Sequence, residues 1–263
     1  MNRDDYEYRG LLAAAWDFMR ADMSFTDSQY YRAIIRSSGE PALDVGCGTG
    51  RLLLEYVAGG IDVDGVDNSP QMLAICCEKA ADLGLLVSLY AQEMEALDLP
   101  RRYGTIFVPS MSFQLVPDLA GARRALDGFY RHLLPGGTLV LTVWHIQGEG
   151  SAEWGDWWVV LEKEGFENGR TLKRRERSRY DAGTQLRHTQ SRYELIEDDE
   201  VVYSEEYERS PELRNYGVAQ LSALLEEAGF EAVYALKEFS DKPAAEEDEI
   251  FCILGRKAGE AGY

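Results

Sequence analysis

The chain of 263 residues is long enough for one large α/β domain or for a domain with an inserted segment. Its 27 Lys and Arg against 46 Asp and Glu give a net charge of −19, which repels the phosphate backbone of nucleic acids. No apolar run approaches the roughly 18 residues of a membrane span, charged residues follow the first methionine, and the four cysteines fit no zinc spacing. We therefore expect a cytoplasmic protein with no nucleic-acid partner, no membrane partner and no metal.

Two helices are predicted before residue 39. Residues 11–19 are strong helix formers, and residues 30–35 follow a candidate cap between Thr26 and Ser28. Tyr30 and Tyr31 either touch a ligand or pack in the core, and the sequence leaves both interpretations open.

The segment that follows predicts a bend that binds a ligand. A short buried strand at 42–45 passes into a loop with Gly46, Gly48 and Gly50, and a helix begins at Arg51. Glycines allow left-handed backbone and carry no Cβ, so a carboxylate or phosphate can lie against the main chain at the positive end of the helix. A dinucleotide fingerprint would need glycine or alanine at position 51. Arg51 therefore argues against a nicotinamide cofactor.

A second buried strand, 61–67, ends in Asp67, whose carboxylate is placed to accept both hydroxyl groups of a ribose. Residues 43–50, with Asp44 directly before the glycines, and residues 65–73 together resemble the first two signatures of the class I S-adenosylmethionine-dependent methyltransferases. This resemblance covers the first third of the chain, and the glycine signature is highly specific.

The resemblance implies S-adenosylmethionine as the cofactor and a helical N-terminal cover over it. Asp44 and the glycine loop would hold the methionine portion, Asp67 the ribose, and Met72 the adenine. An acid after the third strand would bond the adenine amino group; the family usually has aspartate there, and this chain has Glu93 with Gln92 as a rival. The implied cofactor-binding residues are Asp44, Gly46, Cys47, Gly48, Gly50, Asp67, Asn68, Met72, Gln92, Glu93, Met94 and Ser110.

The remaining pattern predicts an α/β, Rossmann-like doubly wound and mostly parallel sheet. Helices are expected at 71–83 after Pro70 and at 118–134 before Pro135, and strands at 86–91, 103–108 and 138–144. A late helix at 217–228 and strands at 232–236 and 250–254 complete it. The loop after residue 108 lacks the Asn/Asp-Pro-Pro-aromatic sequence of enzymes that methylate nucleobase amines, and Ser110 and Met111 in this loop would border the transferred methyl group.

Between these parts, an insertion at about 148–215 predicts an antiparallel β meander. Runs at 171–180, 185–196 and 201–209 are separated by turn-like breaks. We therefore predict two domains, a Rossmann-like domain of 1–147 plus 216–263 and an inserted cap of 148–215 beside the cleft. The layout resembles small-molecule methyltransferases, including amino-sugar N-methyltransferases.

His145 is the candidate general base because it directly follows the fifth strand at the crevice end. The alternative is a histidine that the backbone of its own loop satisfies. His188, in the meander, could point either way, and His132, near a helix C-terminus, is expected to be structural.

Two further clusters in the insertion remain open. Trp154, Trp157 and Trp158 either bind a flat or cationic group or pack between cap and core. Lys173, Arg175, Arg177 and Arg179 share one strand face, and they either read an anionic substrate or pair with Glu206 and Glu208. Residues 246–249 are expected to form a solvated turn.

The sequence thus predicts a methyltransferase that moves a methyl group from S-adenosylmethionine to nitrogen or oxygen of a small-molecule acceptor. The alternatives are a protein or peptide methyltransferase and a non-catalytic module that binds the cofactor; a nicotinamide oxidoreductase ranks below them. A homodimer is left open as the assembly.

Overall fold

The computed structural model describes residues 7–148 and 150–259, in two compact units. The smaller unit contains the described residues up to Ser24 and those of the segment Gly148–Arg214. The larger unit contains Phe25–Gln147 and the described residues from Asn215 onward. The predicted domain of 1–147 begins with residues 1–6, which lie outside the described part.

The described residues form eleven strands and seven α-helices. The strands are β1 Ala42–Val45, β2 Val63–Asp67, β3 Ser88–Ala91, β4 Tyr103–Val108, β5 Leu133–Trp144, β6 Trp158–Phe166, β7 Arg170–Asp181, β8 Leu186–Glu197, β9 Glu200–Arg214, β10 Glu231–Lys237 and β11 Ile250–Arg256. The helices are α1 Gly10–Ala14, α2 Trp16–Arg20, α3 Asp27–Ser38, α4 Arg51–Ala58, α5 Pro70–Asp82, α6 Leu119–His132 and α7 Val218–Glu227.

The larger unit is a seven-stranded sheet in the order β10-β11-β5-β4-β1-β2-β3. Its strands pair in parallel except β11, which runs antiparallel to both β5 and β10. From β1 the chain moves outward to β2 and β3 and then returns to the other side of β1 to form β4 and β5. Loops that leave β1 and β4 diverge there, and such a switch point opens a crevice at the carboxyl ends of the strands.

Both faces of this sheet are covered, as expected for parallel strands. All four residues of β1 are buried, and they alternate between two apolar clusters. Leu43 and Val45 join the cluster that contains residues of α6 and α7, while Ala42 joins the cluster that contains residues of α3 and α4. Asp44 shares the parity of Ala42, so it faces the α3 and α4 side.

Local sequence signals account for the helix starts in this unit. Pro70 opens α5, and the Ser69 hydroxyl accepts a hydrogen bond from the Met72 amide at 3.1 Å. Asp118 caps α6 by accepting from the Gly121 amide at 2.8 Å. The predicted α/β class with an inserted antiparallel sheet is confirmed. No helix among the described residues has the length and apolar composition needed to cross a bilayer.

The smaller unit is an antiparallel sheet in the order β6-β7-β8-β9. The three predicted runs correspond to β7, β8 and β9. Asp198 and Asp199 both adopt left-handed backbone, with φ values of 49° and 63°, which suits the tight turn between β8 and β9. Strand β6 was not predicted, because its run from Trp158 to Phe166 lacks an alternating pattern.

The N-terminal helices divide between the two units. The helix expected over 11–19 is divided at Ala15 into α1 and α2, which group with the smaller unit, while α3 groups with the larger one. The reason is packing: Leu11 and Leu12 join an apolar cluster with Tyr193 of β8. The Glu205 carboxylate on β9 also accepts from the Leu11 amide at 2.7 Å and so stabilises the start of α1.

Candidate functional site

The loop between β1 and α4 contains three glycines with left-handed backbone. Gly46, Gly48 and Gly50 all have positive φ, at 75°, 55° and 83°. A Cβ on Gly46 would lie 2.8 Å from the Ser112 hydroxyl, and one on Gly50 would lie 2.5 Å from the Cys76 sulfur. Both geometry and space therefore require glycine at these two positions. The loop leads into the N-terminus of α4, where backbone amides and the helix dipole favour a negatively charged ligand group.

The Asp67 carboxylate meets this loop directly, as predicted from its place at the end of β2. Its Oδ2 accepts from the Gly48 amide at 2.9 Å, and its Oδ1 accepts from the Ser69 amide at 2.9 Å. A carboxylate oxygen can accept more than one hydrogen bond. The main chain thus orients the Asp67 carboxylate.

Asp44 is a carboxyl group enclosed by protein. It is 1% exposed, and among the described residues nothing donates a hydrogen bond to its Oδ1. Burial raises the pKa of Asp44 to about 8; the Arg51 guanidinium opposes this shift, while Asp67 and Asp27 add to it. A buried acceptor with an unused oxygen is costly in the free protein. It suits a ligand that brings an ammonium group.

An ion pair beside the loop was missed in the sequence. The Arg51 guanidinium at the start of α4 donates from Nη1 and Nη2 to the two carboxylate oxygens of Asp27 at 2.8 and 2.6 Å. Its central carbon also lies 4.2 Å from the centre of the Phe25 ring. These contacts fasten the start of α3 to the glycine loop. An Arg at helix position one and an acid at the start of another helix carry no signal that they meet.

The loop after β3 lies next to Asp67, because the Gln92 amide donates to the Asp67 carbonyl at 3.1 Å. The Gln92 side chain, however, bonds to the Asp98 main chain at both ends, each at 2.9 Å. The choice between Gln92 and Glu93 for the adenine amino group stays a prediction. Met94, next along the chain, is half-buried and packs against the main apolar cluster.

Three more predicted residues border the glycine loop or Asp67. Met72 is buried, and its Cε would lie 3.3 Å from a Cβ on Gly48. The Cys47 sulfur would lie 2.8 Å from a Cβ on Gly65 of β2, so the side chain packs inward and only the main chain of Cys47 can face a ligand. Asn68 is exposed directly after Asp67.

The loop after β4 is strained where it approaches the glycine loop. Ser110 and Met111 both adopt left-handed backbone, with φ values of 53° and 65°. Consecutive non-glycine residues in this region are uncommon and concentrate at functional sites. The next residue, Ser112, donates from its hydroxyl to the Pro109 carbonyl at 2.8 Å and lies against Gly46. The structure thus brings the predicted Ser110 loop beside the predicted glycine loop.

His145 follows β5 and bonds to backbone through one ring nitrogen. Its Nδ1 lies 2.8 Å from the Tyr216 carbonyl oxygen, and its amide donates to the Glu249 carbonyl at 2.7 Å. A carbonyl can only accept, so Nδ1 carries the proton and Nε2 is left as the acceptor. Backbone thus satisfies one ring nitrogen, although it comes from Tyr216 rather than from the histidine's own loop, and the role of His145 as a general base stays a prediction.

Two side-chain amides hold the chain that leaves β5. Gln114 accepts from the Trp144 amide at 2.8 Å and donates to the Trp144 carbonyl at 2.9 Å. Asn215 accepts from the Ile146 amide at 2.8 Å and donates to the Ile146 carbonyl at 3.0 Å. Each amide copies the pairing of a neighbouring strand, so the loop around His145 is tied on both sides. Nothing in the sequence pattern identified these two residues.

The acidic segment 246–249 is more than a solvated turn. The Glu246 carboxylate accepts from the Val218 and Ala219 amides at the start of α7, at 3.2 and 2.9 Å. Asp248 pairs with Lys237 at 2.6 Å. The segment therefore caps α7 and stabilises the turn before β11.

In the smaller unit, the predicted cationic stripe is engaged within its own sheet. Lys173 pairs with Glu162 at 2.7 Å, and Arg175 pairs with Glu194 at 3.4 Å. Arg177 donates to Gln190 at 2.7 Å, and its guanidinium lies 5.4 and 5.1 Å from the rings of Trp154 and Trp157.

The predicted carboxylate partners of the stripe were wrong. Glu206 pairs instead with Arg192 of β8, and Glu208 accepts from Gln190. Those partners lie on the strand between β7 and β9, which the meander pattern could not specify. Trp158 is exposed on β6, and His188 bonds to the Ser210 hydroxyl at 2.7 Å. His132 is structural as expected: its Nδ1 donates to the Gly128 carbonyl at 2.8 Å, and its Nε2 accepts from the Leu99 amide at 3.1 Å.

Comparison with known families bears on the segment that forms this site. Residues 42–137 match the family model described as a methyltransferase domain. The matched segment contains the glycine loop, Asp67 and the loops after β3 and β4. This match confirms the resemblance that the two signatures carry.

Curated relatives are similar over about half of the chain. A demethylmenaquinone methyltransferase of Thermus thermophilus is 35% identical over 137 residues, which cover 49% of this chain and 61% of the relative. A dTDP-3-amino-3,6-dideoxy-alpha-D-glucopyranose N,N-dimethyltransferase of Streptomyces fradiae is 29% identical over 150 residues, 52% of this chain and 55% of the relative. The chain thus spans less than two thirds of the length of the curated relatives it matches.

Solved structures share the fold over nearly the whole chain. An S-adenosylmethionine-dependent methyltransferase from Clostridium acetobutylicum has a TM-score of 0.75 at 18% identity, covering 93% of this chain and 96% of that one. The sugar N-methyltransferase KedS8 from a Streptoalloteichus species has a TM-score of 0.70 at 23% identity, covering 92% of each chain. At these identities the likeness is one of fold.

Proposed function

We infer that this chain, whose residues 42–137 form a methyltransferase domain, transfers a methyl group from S-adenosylmethionine to nitrogen or oxygen of a small-molecule acceptor. The observation that carries the proposal is the buried Asp44 carboxyl with its unused Oδ1, directly before a loop of left-handed glycines. A buried acceptor beside bare backbone suits the charged amino-acid end of this cofactor.

The residues at the crevice fit the rest of the cofactor. Asp44 would accept hydrogen bonds from its ammonium group, and the backbone of Gly46 to Gly50 would lie against its methionine chain. Asp67, oriented by the Gly48 and Ser69 amides, would accept from the two ribose hydroxyl groups. Met72 and Met94 would border the adenine, and Glu93 would accept from its amino group. When bound, S-adenosylmethionine supplies a methyl group on a positively charged sulfur.

The chain's own contribution to the reaction is placement. Transfer needs the acceptor atom in line with the bond that breaks, at about 3 Å, and such alignment supplies roughly 7–11 kcal/mol of the barrier. Ser110 and Met111, held in strained backbone, would shape the space beside the methyl group. His145 would take the proton that an attacking hydroxyl or amine gives up, through Nε2, because Nδ1 is fixed as a donor to Tyr216.

Similar proteins support a small acceptor. Their names point to a quinone for the Thermus thermophilus relative and to a sugar for the Streptomyces fradiae relative and for KedS8. An amine acceptor must be neutral to attack, whereas a hydroxyl benefits from a base. We therefore keep nitrogen and oxygen together and assign His145 its larger effect on a hydroxyl acceptor.

Calorimetry with S-adenosylhomocysteine tests the cofactor part of the proposal. The wild-type protein should bind it, and Asp67→Ala should weaken binding by about a hundredfold or more, since two charged hydrogen bonds are lost. Asp62→Ala, at the exposed start of the same strand region, is the matched control and should bind like wild type. Absence of binding, or equal affinity of wild type and Asp67→Ala, would contradict the proposal.

A second experiment tests the acceptor class. Protein incubated with methyl-labelled S-adenosylmethionine and a panel of small amines, phenols and sugars should label at least one of them. Label found only in added peptides would replace the small-molecule acceptor by a peptide. Binding of the cofactor with no label transferred anywhere would leave a non-catalytic module.

A further inference from the structure

The Arg51 guanidinium bonds to one of two buried carboxyl groups and interacts electrostatically with the other. Asp27 is 4% exposed and receives two hydrogen bonds from Arg51, at 2.8 and 2.6 Å. Asp44, 1% exposed, receives none on its Oδ1 from the described residues. Arg51 acts electrostatically on both acids, yet its hydrogen bonds go to Asp27.

The surroundings of Asp44 contain one cation and several groups of the opposite tendency. Arg51 of α4 favours the charged form of Asp44, while Asp67 at the end of β2 and Asp27 of α3 disfavour it. In the described part of the chain, Tyr56 of α4 and the Cys47 thiol of the loop also interact with Asp44. Arg51 is therefore the cation that could neutralise Asp44 from within the protein.

We propose that Asp27 is a positioning residue that holds Arg51 away from Asp44 and so reserves the free oxygen of Asp44 for a positively charged ligand group. Both bonded nitrogens of Arg51 are directed at Asp27, and the guanidinium rests on Phe25. An ion pair between Arg51 and Asp44 would have to be broken before an ammonium group could bind, and breaking a buried pair is costly. The inference rests on the proposed function, since it assumes a ligand with an ammonium group.

The arrangement sets the pH dependence of ligand binding. An ammonium group binds the ionised form of Asp44, so binding releases a proton wherever Asp44 is protonated in the free protein. With the pKa of Asp44 at about 8, affinity should rise with pH up to that value. The midpoint of this pH dependence reports the ionisation of Asp44. Loss of a contact that is only structural would weaken binding without moving the midpoint.

Removing either partner of the ion pair should move the acid limb in opposite directions. In Asp27→Asn, Arg51 loses its partner and stabilises the charged Asp44, so the limb moves to lower pH by about one unit. Maximal affinity should fall as well, because Arg51 then competes with the ligand. In Arg51→Met, the only cation beside Asp44 among the described residues is lost, and the limb moves to higher pH by about one unit.

The experiment is calorimetric titration with S-adenosylhomocysteine from about pH 5.5 to 9.5, a range that contains the midpoints expected for the wild type and for both variants. A one-unit shift appears as an affinity change of about tenfold on the acid limb. Arg51→Lys keeps the charge and should restore the wild-type midpoint. Glu55→Gln is the control: Glu55 also links α4 to α3, through Arg32 at 2.7 Å and Ser28 at 2.6 Å, and its loss should leave the midpoint unchanged.

Three results overturn the inference. Weaker binding in Asp27→Asn and Arg51→Met without movement of the midpoint would make the pair a structural tether only. Movement of both midpoints in the same direction would contradict the competition. A wild-type protein that binds no S-adenosylhomocysteine at any pH would remove the proposed function itself, a failure distinct from the other two. Should Asp27→Asn not fold, Arg51→Met must still move the midpoint to higher pH and Arg51→Lys must restore it, and an unmoved midpoint in Arg51→Met would overturn the inference.

Discussion

The two units bury carboxyl groups in opposite ways. In the smaller unit Glu176 is 5% exposed and surrounded by donors: it bonds to Arg174, to Arg187 at 2.7 Å and to Ser191 at 3.4 Å. In the larger unit Asp44 is at least as deeply buried, yet one of its oxygens has no partner among the described residues. Removing one partner of a satisfied buried acid is destabilising, whereas an unsatisfied buried acid costs free energy in the free protein, which fits the ligand-binding role that we propose for Asp44.

The largest expected effect tests the cost of Asp44. Because folding raises its pKa from about 3.9 to about 8, the folded state binds more protons between these values, and the free energy of unfolding falls as pH rises through them. Asp44→Asn removes this loss. The variant should match wild type near pH 4 and exceed it by up to about 5 kcal/mol near pH 8, at about 1.4 kcal/mol per pH unit. Denaturant unfolding without ligand measures it, and parallel curves for the two proteins would contradict it.

A change of opposite sign is expected in the smaller unit. Glu176→Ala leaves Arg174 and Arg187 without their shared carboxylate and should lower the free energy of unfolding by about 3–5 kcal/mol. Glu206→Ala removes an exposed partner of Arg192 on the same sheet and should cost less than about 1 kcal/mol. Equal losses in the two variants, measured by denaturant unfolding, would show that burial does not separate these charges.

Smaller effects should distinguish two glycines with similar backbone. Gly50 and Gly60 have φ values of 83° and 79°, but a Cβ on Gly50 would lie 2.5 Å from the Cys76 sulfur, while nothing lies within 4 Å on Gly60. Gly50→Ala should therefore cost about 2–4 kcal/mol and weaken S-adenosylhomocysteine binding, whereas Gly60→Ala should cost about 1–2 kcal/mol and leave binding unchanged. Thermal unfolding measures the loss of stability, and calorimetry measures binding. Equal losses of stability in the two variants would mean that backbone strain, and not the contact with Cys76, causes the whole cost.

The sequence predicted those parts of the larger unit in which the local backbone conformation requires a particular residue type. Left-handed glycines, the Pro70 start of α5 and the acid that ends β2 each have a local cause, and a pattern of types and spacings identifies them. The same holds for the turn at Asp198 and Asp199. The fold class and the methyltransferase domain followed from these signals.

What the sequence did not predict depends on partners far along the chain. Arg51 and Asp27 are 24 residues apart and bond because the fold brings the first residues of α3 and α4 together. Gln114 and Asn215 act on chain 30 and 69 residues away. The alternation of β7 showed that its cations share a face, but which strand lies beside it decided their partners. Spacing along one element carries no information about such contacts.

The side-chain amides of Gln114 and Asn215 make the loop after β5 sensitive to the replacement of a single atom. Each presents an oxygen to an amide and a nitrogen to a carbonyl, in the fixed order that the main chain around Trp144 and Ile146 requires. Hydrolysis of either amide to the acid keeps size and shape but sets an oxygen against a carbonyl oxygen. Deamidation, a common form of ageing in stored proteins, would therefore weaken the contacts that hold the loop around His145 while leaving every strand of the sheet in place.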